Sequence, residues 1–165
     1  MSDPITRNAE PTARPVSEIE RVEIAIVDHL ARIVPNDAKL QLQPDDPAEF
    51  MMGDAPRAAL VHFLDANAAL ANPTKVAGRT AFAINVLARS QRGHEGGLAL
   101  LQIIERALAG VALPGCRAFA VRRSGLAGQT GGLWRWTLEI ETETLRGVSM
   151  PPAAPFVSDF QEVRS

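Results

Sequence analysis

The chain has 165 residues, with 17 basic against 19 acidic side chains, a formal net charge of -2 and a single cysteine, Cys116. That length suits one domain able to bury roughly two-thirds of its unfolded surface. The charge balance lacks the excess of Lys and Arg that wrapping nucleic acid or adhering to a membrane surface needs, and one cysteine excludes an internal disulfide or a cysteine-rich metal site.

The first residues, 1–16, are polar and carry Pro4, Pro11 and Pro15, too few apolar groups to offset the entropy of ordering. A flexible arm is expected there, with none of the apolar core of a signal peptide, and no stretch approaches the roughly 18 apolar residues of a membrane span. A cytoplasmic protein is the expectation. Ser17 and Glu20 form an S-x-x-E capping box, after which Ile19, Val22, Ile26, Leu30 and Ile33 recur at spacings of three and four. The pattern predicts an amphipathic helix over Glu18 to Val34, ended by Pro35, with His29 as a solvated residue at its margin.

Residues 36–56 are rich in Pro and Asp, with a short strand expected at Leu40 to Gln43 and an apolar trio at Phe50, Met51 and Met52. The trio reads as core filler ahead of an exposed contact patch. The run AALVHFL, Ala58 to Leu64, predicts a buried strand, with His62 on the face of Leu60 and Leu64 as a hydrogen-bonded core or interface histidine. Asp65 to Pro73 has the Asn, Ala and Pro of a long connection.

A clearer strand follows, with Phe82, Ile84 and Val86 on one face and Ala81, Ala83, Asn85 and Leu87 on the other. The glycine-bearing connection SQRGHEGG leads into a helix from Gly97 to Ala109, capped by Gly110. This helix is apolar except for a narrow strip of Gln102, Glu105 and Arg106, more than one sheet face needs to cover, so burial on two sides is expected. Ala118 to Arg123 reads as a strand, SGLAGQTGG as a flexible hairpin loop, and Leu133 to Leu145 as a long strand. In that last strand Trp134, Trp136, Leu138 and Ile140 oppose Arg135, Thr137, Glu139, Glu141 and Glu143; at 3.3 Å per residue it extends about 40 Å. Residues 146–165 form an extended tail with Phe156, Val157 and Phe160 as apolar anchors.

Chemistry is hard to find. His94-Glu95 would open a zinc-binding H-E-x-x-H motif, but the second histidine position holds Leu98. Gly125, Gly128, Gly131 and Gly132 precede a strand rather than a helix, and no phosphate-binding lysine motif occurs. There is no nucleophile elbow. The row Glu139, Glu141 and Glu143 reads as a solvated or interface-facing surface rather than a catalytic pair, with Arg122, Arg123 and Arg135 available for pairing. No catalytic residue, cofactor or metal is therefore assigned.

The segments VEIAIVDHL and FAINVLARSQRGHEGGLALLQIIERALAG, followed by the long strand, resemble the Gp37 family of Mu-like phages over about Ile19 to Leu145. The resemblance implies a non-enzymatic subunit of a contractile tail, similar in role to tail terminators. Such subunits close into a ring, expected as a hexamer, that caps the head-proximal end of the tail tube. It implies tail tube, sheath or neck proteins as partners, no sequence-specific nucleic acid, and assembly of cytoplasmic protein into a virion or tail-like particle. In this reading Gln102, Glu105, Arg106, Arg122, Arg123, Arg135, Glu139, Glu141 and Glu143 face a neighbouring subunit, and the three glutamates line a channel. The competing readings are another neck or baseplate component, or a small enzyme or ligand-binding domain with a pocket between the second helix and the sheet. The expected fold is α+β: a mostly antiparallel sheet of four or five strands with two helices on one face, over residues 17–145.

Overall fold

The computed structural model describes residues 16–72 and 75–147. The arm expected over 1–16 lies outside the described residues except for Val16, and so does the tail with Phe156, Val157 and Phe160 except for Arg146 and Gly147. Two helices, α1 (Glu18–Ala31) and α2 (Gly97–Leu108), accompany five strands: β1 (Ala38–Leu42), β2 (Arg57–Asn72), β3 (Lys75–Ala88), β4 (Ala120–Thr130) and β5 (Leu133–Gly147). The sheet order is β1-β2-β3-β5-β4. Among the described strands the β1-β2 pair alone is parallel, so the fold is α+β with a mostly antiparallel sheet.

Alternation along the strands assigns the two faces. Ala59 and Val61 of β2 lie level with Val86 and Ile84 of β3, which in turn lie level with Trp136 and Leu138 of β5. These residues share one buried cluster with Val22, Ile26 and Leu30 of α1 and with Leu100, Ile104 and Leu108 of α2. Both helices therefore lie on one face. The other face carries Leu60, His62, Ala83, Asn85, Thr137 and the glutamate row. Segment 43–56 covers one end of it, where Met52 is buried with Ala58, Leu60 and Leu87. Of the apolar trio, Met52 is thus core, Phe50 is half-buried beneath the Lys39 ammonium, 5.1 Å from its ring centre, and Met51 is 72% exposed.

The capping box forms as read: the Ser17 hydroxyl accepts from the Glu20 amide at 3.1 Å, and the Glu20 carboxylate accepts from the Ser17 amide at 2.6 Å. The helix stops at Ala31 rather than Val34, because both the Ile33 and Val34 amides turn back to the Leu30 carbonyl. His29 is not a solvated residue. Its Nε2 donates to the Ala107 carbonyl at 2.9 Å, giving an end-of-helix acceptor on α2 a partner and tying the two helices together. α2 buries a single stripe, with Leu100, Leu101, Ile104 and Leu108 against β3 and β5 and the His29 hydrogen bond as its tie to α1. Leu98 stays exposed, so the burial expected on two sides is met on the sheet side alone.

Two expected loops are strand. Residues 65–72 continue β2, paired from Asp65↔Ala81 to Asn72↔Lys75 after a bulge at Phe63/Asp65; the ladder to β3 overrides the weak local preference of Asn and Ala. The stretch SGLAGQT belongs to β4, with bulges at Val121/Arg123 and Leu126/Gly128. The connection shrinks to Gly131-Gly132, both in the left-handed region at φ 57° and 77°, as a two-residue type I′ hairpin requires.

Candidate assembly interface

The residues expected at an interface separate into two groups. Gln102, Glu105 and Arg106 lie on the outer side of α2, in the helix layer, whereas Arg122, Arg123, Arg135, Glu139, Glu141 and Glu143 belong to β4 and β5 and the helix-free side of the sheet. The two sets flank opposite sides of the sheet and form no single patch. Within the second set the pairing is local. The bulge re-aims Arg122 so that its guanidinium meets Glu141 at 3.5 Å and reaches across to Asp65 of β2 at 3.8 Å. Glu143 meets Arg117 at 3.4 Å. Among the described residues Glu139, Arg123 and Arg135 have no ion pair, and the glutamates are half-buried.

A side-chain ladder crosses the same face. Thr137 Oγ1 donates to Asn85 Oδ1 at 3.1 Å, and Asn85 Nδ2 donates to Gln43 Oε1 at 2.9 Å. It straps β5, β3 and the exit of β1 together. His62 lies beside it, half-buried, but its Nδ1 is buried with no hydrogen-bond partner among the described residues, so the hydrogen bond expected of this histidine is missing at that atom. Burial pushes the imidazole below its ordinary range. Cys116 is half-buried at the margin of the main cluster, its thiol raised by desolvation.

Sequence reasoning missed two polar anchors. Arg57, 3% exposed, donates to Asp37 at 3.0 Å and to the Gly96 carbonyl at 3.4 Å, fixing the loop that precedes α2. Glu23 accepts from the Phe63 amide at 2.7 Å, occupying an outward donor of β2 just past the end of β1; desolvation raises its carboxyl above the usual value. Only pairing, invisible in a lone chain, would have marked either.

The cavity beside a helix lies under α1, not α2. It measures about 320 Å³ and is walled by Ile19, Val22, Phe82, Pro114 and the hydrogen-bonded pair Thr80 and Thr144. Beneath α2, Leu100, Ile104 and Leu108 are wholly buried. No three His, Cys, Asp or Glu side chains among the described residues converge to hold a metal ion, and no helix there is long and apolar enough to cross a membrane.

With this geometry in place, the family model described as Gp37 protein matches residues 26–152. The chain belongs to the Gp37 family. The match begins within α1 and includes all five strands and α2, so it takes in the whole glutamate and arginine set, while the capping box and Glu23 precede it. No curated protein matches this chain by sequence. Among solved structures, a chain described as "Virion of native gene transfer agent (GTA) particle" superposes with a TM-score of 0.50 at 15% identity, over 76% of this chain and 95% of that one. At that identity the likeness concerns the fold.

Proposed function

We propose that this Gp37-family chain is a non-enzymatic structural subunit of a phage or phage-derived particle, whose copies close a ring on the head-proximal end of a tail tube and stop its growth. The observation that carries the reading is the agreement of two independent comparisons: membership of the family, and a shared fold with a protein of a gene transfer agent virion. The architecture is compatible with it. The sheet leaves one face without helices and both outer edges largely unpaired among the described residues, and polar ladders rather than a catalytic constellation occupy that face. Ring closure needs a heterologous contact between two different surfaces of one subunit, and opposite sheet edges are two such surfaces.

In the ring the glutamate row lines the channel, where carboxylates repel passing DNA phosphates. Glu139, free of an ion pair among the described residues, contributes most of that repulsion, because Glu141 and Glu143 are partly neutralised by Arg122 and Arg117. Native mass spectrometry and electron microscopy of the full chain, alone and with purified tail tubes, test the assembly. A ring of about six copies seated at one tube end is the expected outcome, and a chain that stays monomeric and fails to arrest tube growth overturns the reading. Replacing Glu139, Glu141 and Glu143 together by lysine is expected to reduce particle infectivity; unchanged infectivity with intact rings removes the channel role.

A further inference from the structure

β1 accompanies β2 only from Arg57 to Val61 and then leaves the sheet at Gln43-Pro44. Proline has no amide for a ladder, so the edge ends there. Beyond that point the outer edge of β2 has no neighbouring strand among the described residues. A groove of about 470 Å³ opens where the edge becomes free, between the start of α1 and the exit of β1. Three of its walls are exposed apolar side chains, Val16, Ile24 and Phe63, with Leu64 next in sequence; all four are 37 to 43% exposed. Its charged lining is acidic only: Glu20, Glu23 and Asp45, with no Lys or Arg.

The opposite edge of the sheet has the complementary charge. β4 is the outermost strand there. Just before it the Phe119 carbonyl accepts from the Gly110 amide and the Phe119 amide donates to the Val111 carbonyl, so the stretch with no strand against it among the described residues starts at Ala120, and it carries Arg122 and Arg123. Cross-strand register relates the heights of the two edges. Phe63 lies level with Phe82, Phe82 with Ile140, and Ile140 with Val121. Asp65 lies level with Ala81, Ala81 with Glu141, and Glu141 with Ala120. The free basic edge from Ala120 to Arg123 therefore lies at the height of His62–Asp65 on the far side of the same sheet. The directions agree as well. β2 and β5 run one way and β3 and β4 the other, so a second copy rotated about an axis along the strands brings its β4 antiparallel to β2, the more favourable pairing.

We infer that the groove at the free edge of β2 is the docking site for the Ala120–Arg123 edge of a second copy of this chain. This rests on the ring reading and names its interface. Val121, on the helix side of β4, covers Val16, Ile24 and Phe63, and Arg123 meets the acidic lip at Asp45. In the separate subunit Glu23 holds the Phe63 amide, so the edge is guarded against indiscriminate strand addition until an arginine-bearing edge draws the carboxylate away.

Charge exchange tests the contact. Asp45 and Arg123 have no ion pair within the subunit among the described residues, and both are exposed. Asp45→Arg and Arg123→Glu are each expected to weaken assembly on tail tubes about tenfold or more, and the double exchange to restore it. Independently, in a Cys116→Ser background, Asp45→Cys with Arg123→Cys is expected to give intermolecular disulfides up to the full ring. The control pair Asp45→Cys with Gln102→Cys should not. Rings that form normally while the first pair crosslinks no faster than the control overturn this interface and leave the ring reading standing. Absence of any assembly, by mass and by crosslink, overturns both.

Discussion

Gly97 shows how one residue can reverse an intrinsic preference. At the first position of a helix, alanine is favoured over glycine by up to about 1 kcal/mol, but a Cβ built on Gly97 would collide with the Trp136 ring. The ring is almost wholly buried and paired with Trp134 at 6.5 Å, so it has little room to yield. Gly97→Ala is therefore expected to destabilise the fold by about 1–3 kcal/mol in urea titrations, the usual cost of overpacking. The sequence shows a glycine run before a helix; that only one of these glycines is held by an indole from β5 follows from tertiary approach alone. His62 is the residue-scale case for pH. Its folded imidazole titrates below 6.5, so the unfolded chain binds more protons as pH falls. Its contribution is fully present above that value and is lost as pH drops through the folded value. Between about pH 7.5 and about pH 5 the wild type is expected to lose more stability than His62→Gln, read from urea midpoints at each pH. Equal losses would mean that the imidazole titrates alike folded and unfolded. Glu23 acts in the opposite sense: its raised carboxyl favours the folded state most below 4.5, and that advantage fades as pH rises.

At the scale of elements, strong periodicity was readable and weak periodicity was not. The cap at Ser17, the stripe of α1 from Ile19 to Leu30, the Phe82-Ile84-Val86 face of β3 and the tryptophan face of β5 are where the periodicity placed them, whereas Ile33 lies past the helix end and is exposed. The second half of β2 and most of β4 were hidden, because DANAALAN and SGLAGQT are poor strand formers whose extended shape comes from β3 and β5 beside them. The hairpin turn gives a sharp test of the revised boundary. Gly131 and Gly132 both have positive φ, whereas Gly125, inside β4, has neither positive φ nor any atom near its absent Cβ. Alanine at Gly131 or Gly132 is expected to cost about 1–2 kcal/mol each, and alanine at Gly125 to stay within about 0.5 kcal/mol. A flexible loop over 124–132 would make all three substitutions nearly neutral. The candidate interface was legible only in part. The glutamate and arginine types were visible, but the bulge that sends Arg122 over to Asp65, and the acidic groove beside β2, depend on where β1 stops.

For the whole molecule, the order β1-β2-β3-β5-β4 places the strand made last among those described at an interior position of the sheet. β3 finds its second neighbour only across a separation that includes α2 and β4, from Ala88 to Trp134 at its nearest pair. Contacts of that range slow folding, because chain entropy is lost before they form. During synthesis the β2-β3 hairpin leaves the ribosome with the edge of β3 that later meets β5 bare, and it stays so until the β4-β5 hairpin follows. A nascent chain stalled before Leu133 is thus a sticky, half-built sheet. Pulse-labelled translation should show chaperone association that peaks before β5 emerges and collapses once Gly147 is clear, which ties the end of that exposure to completion of a single interior strand.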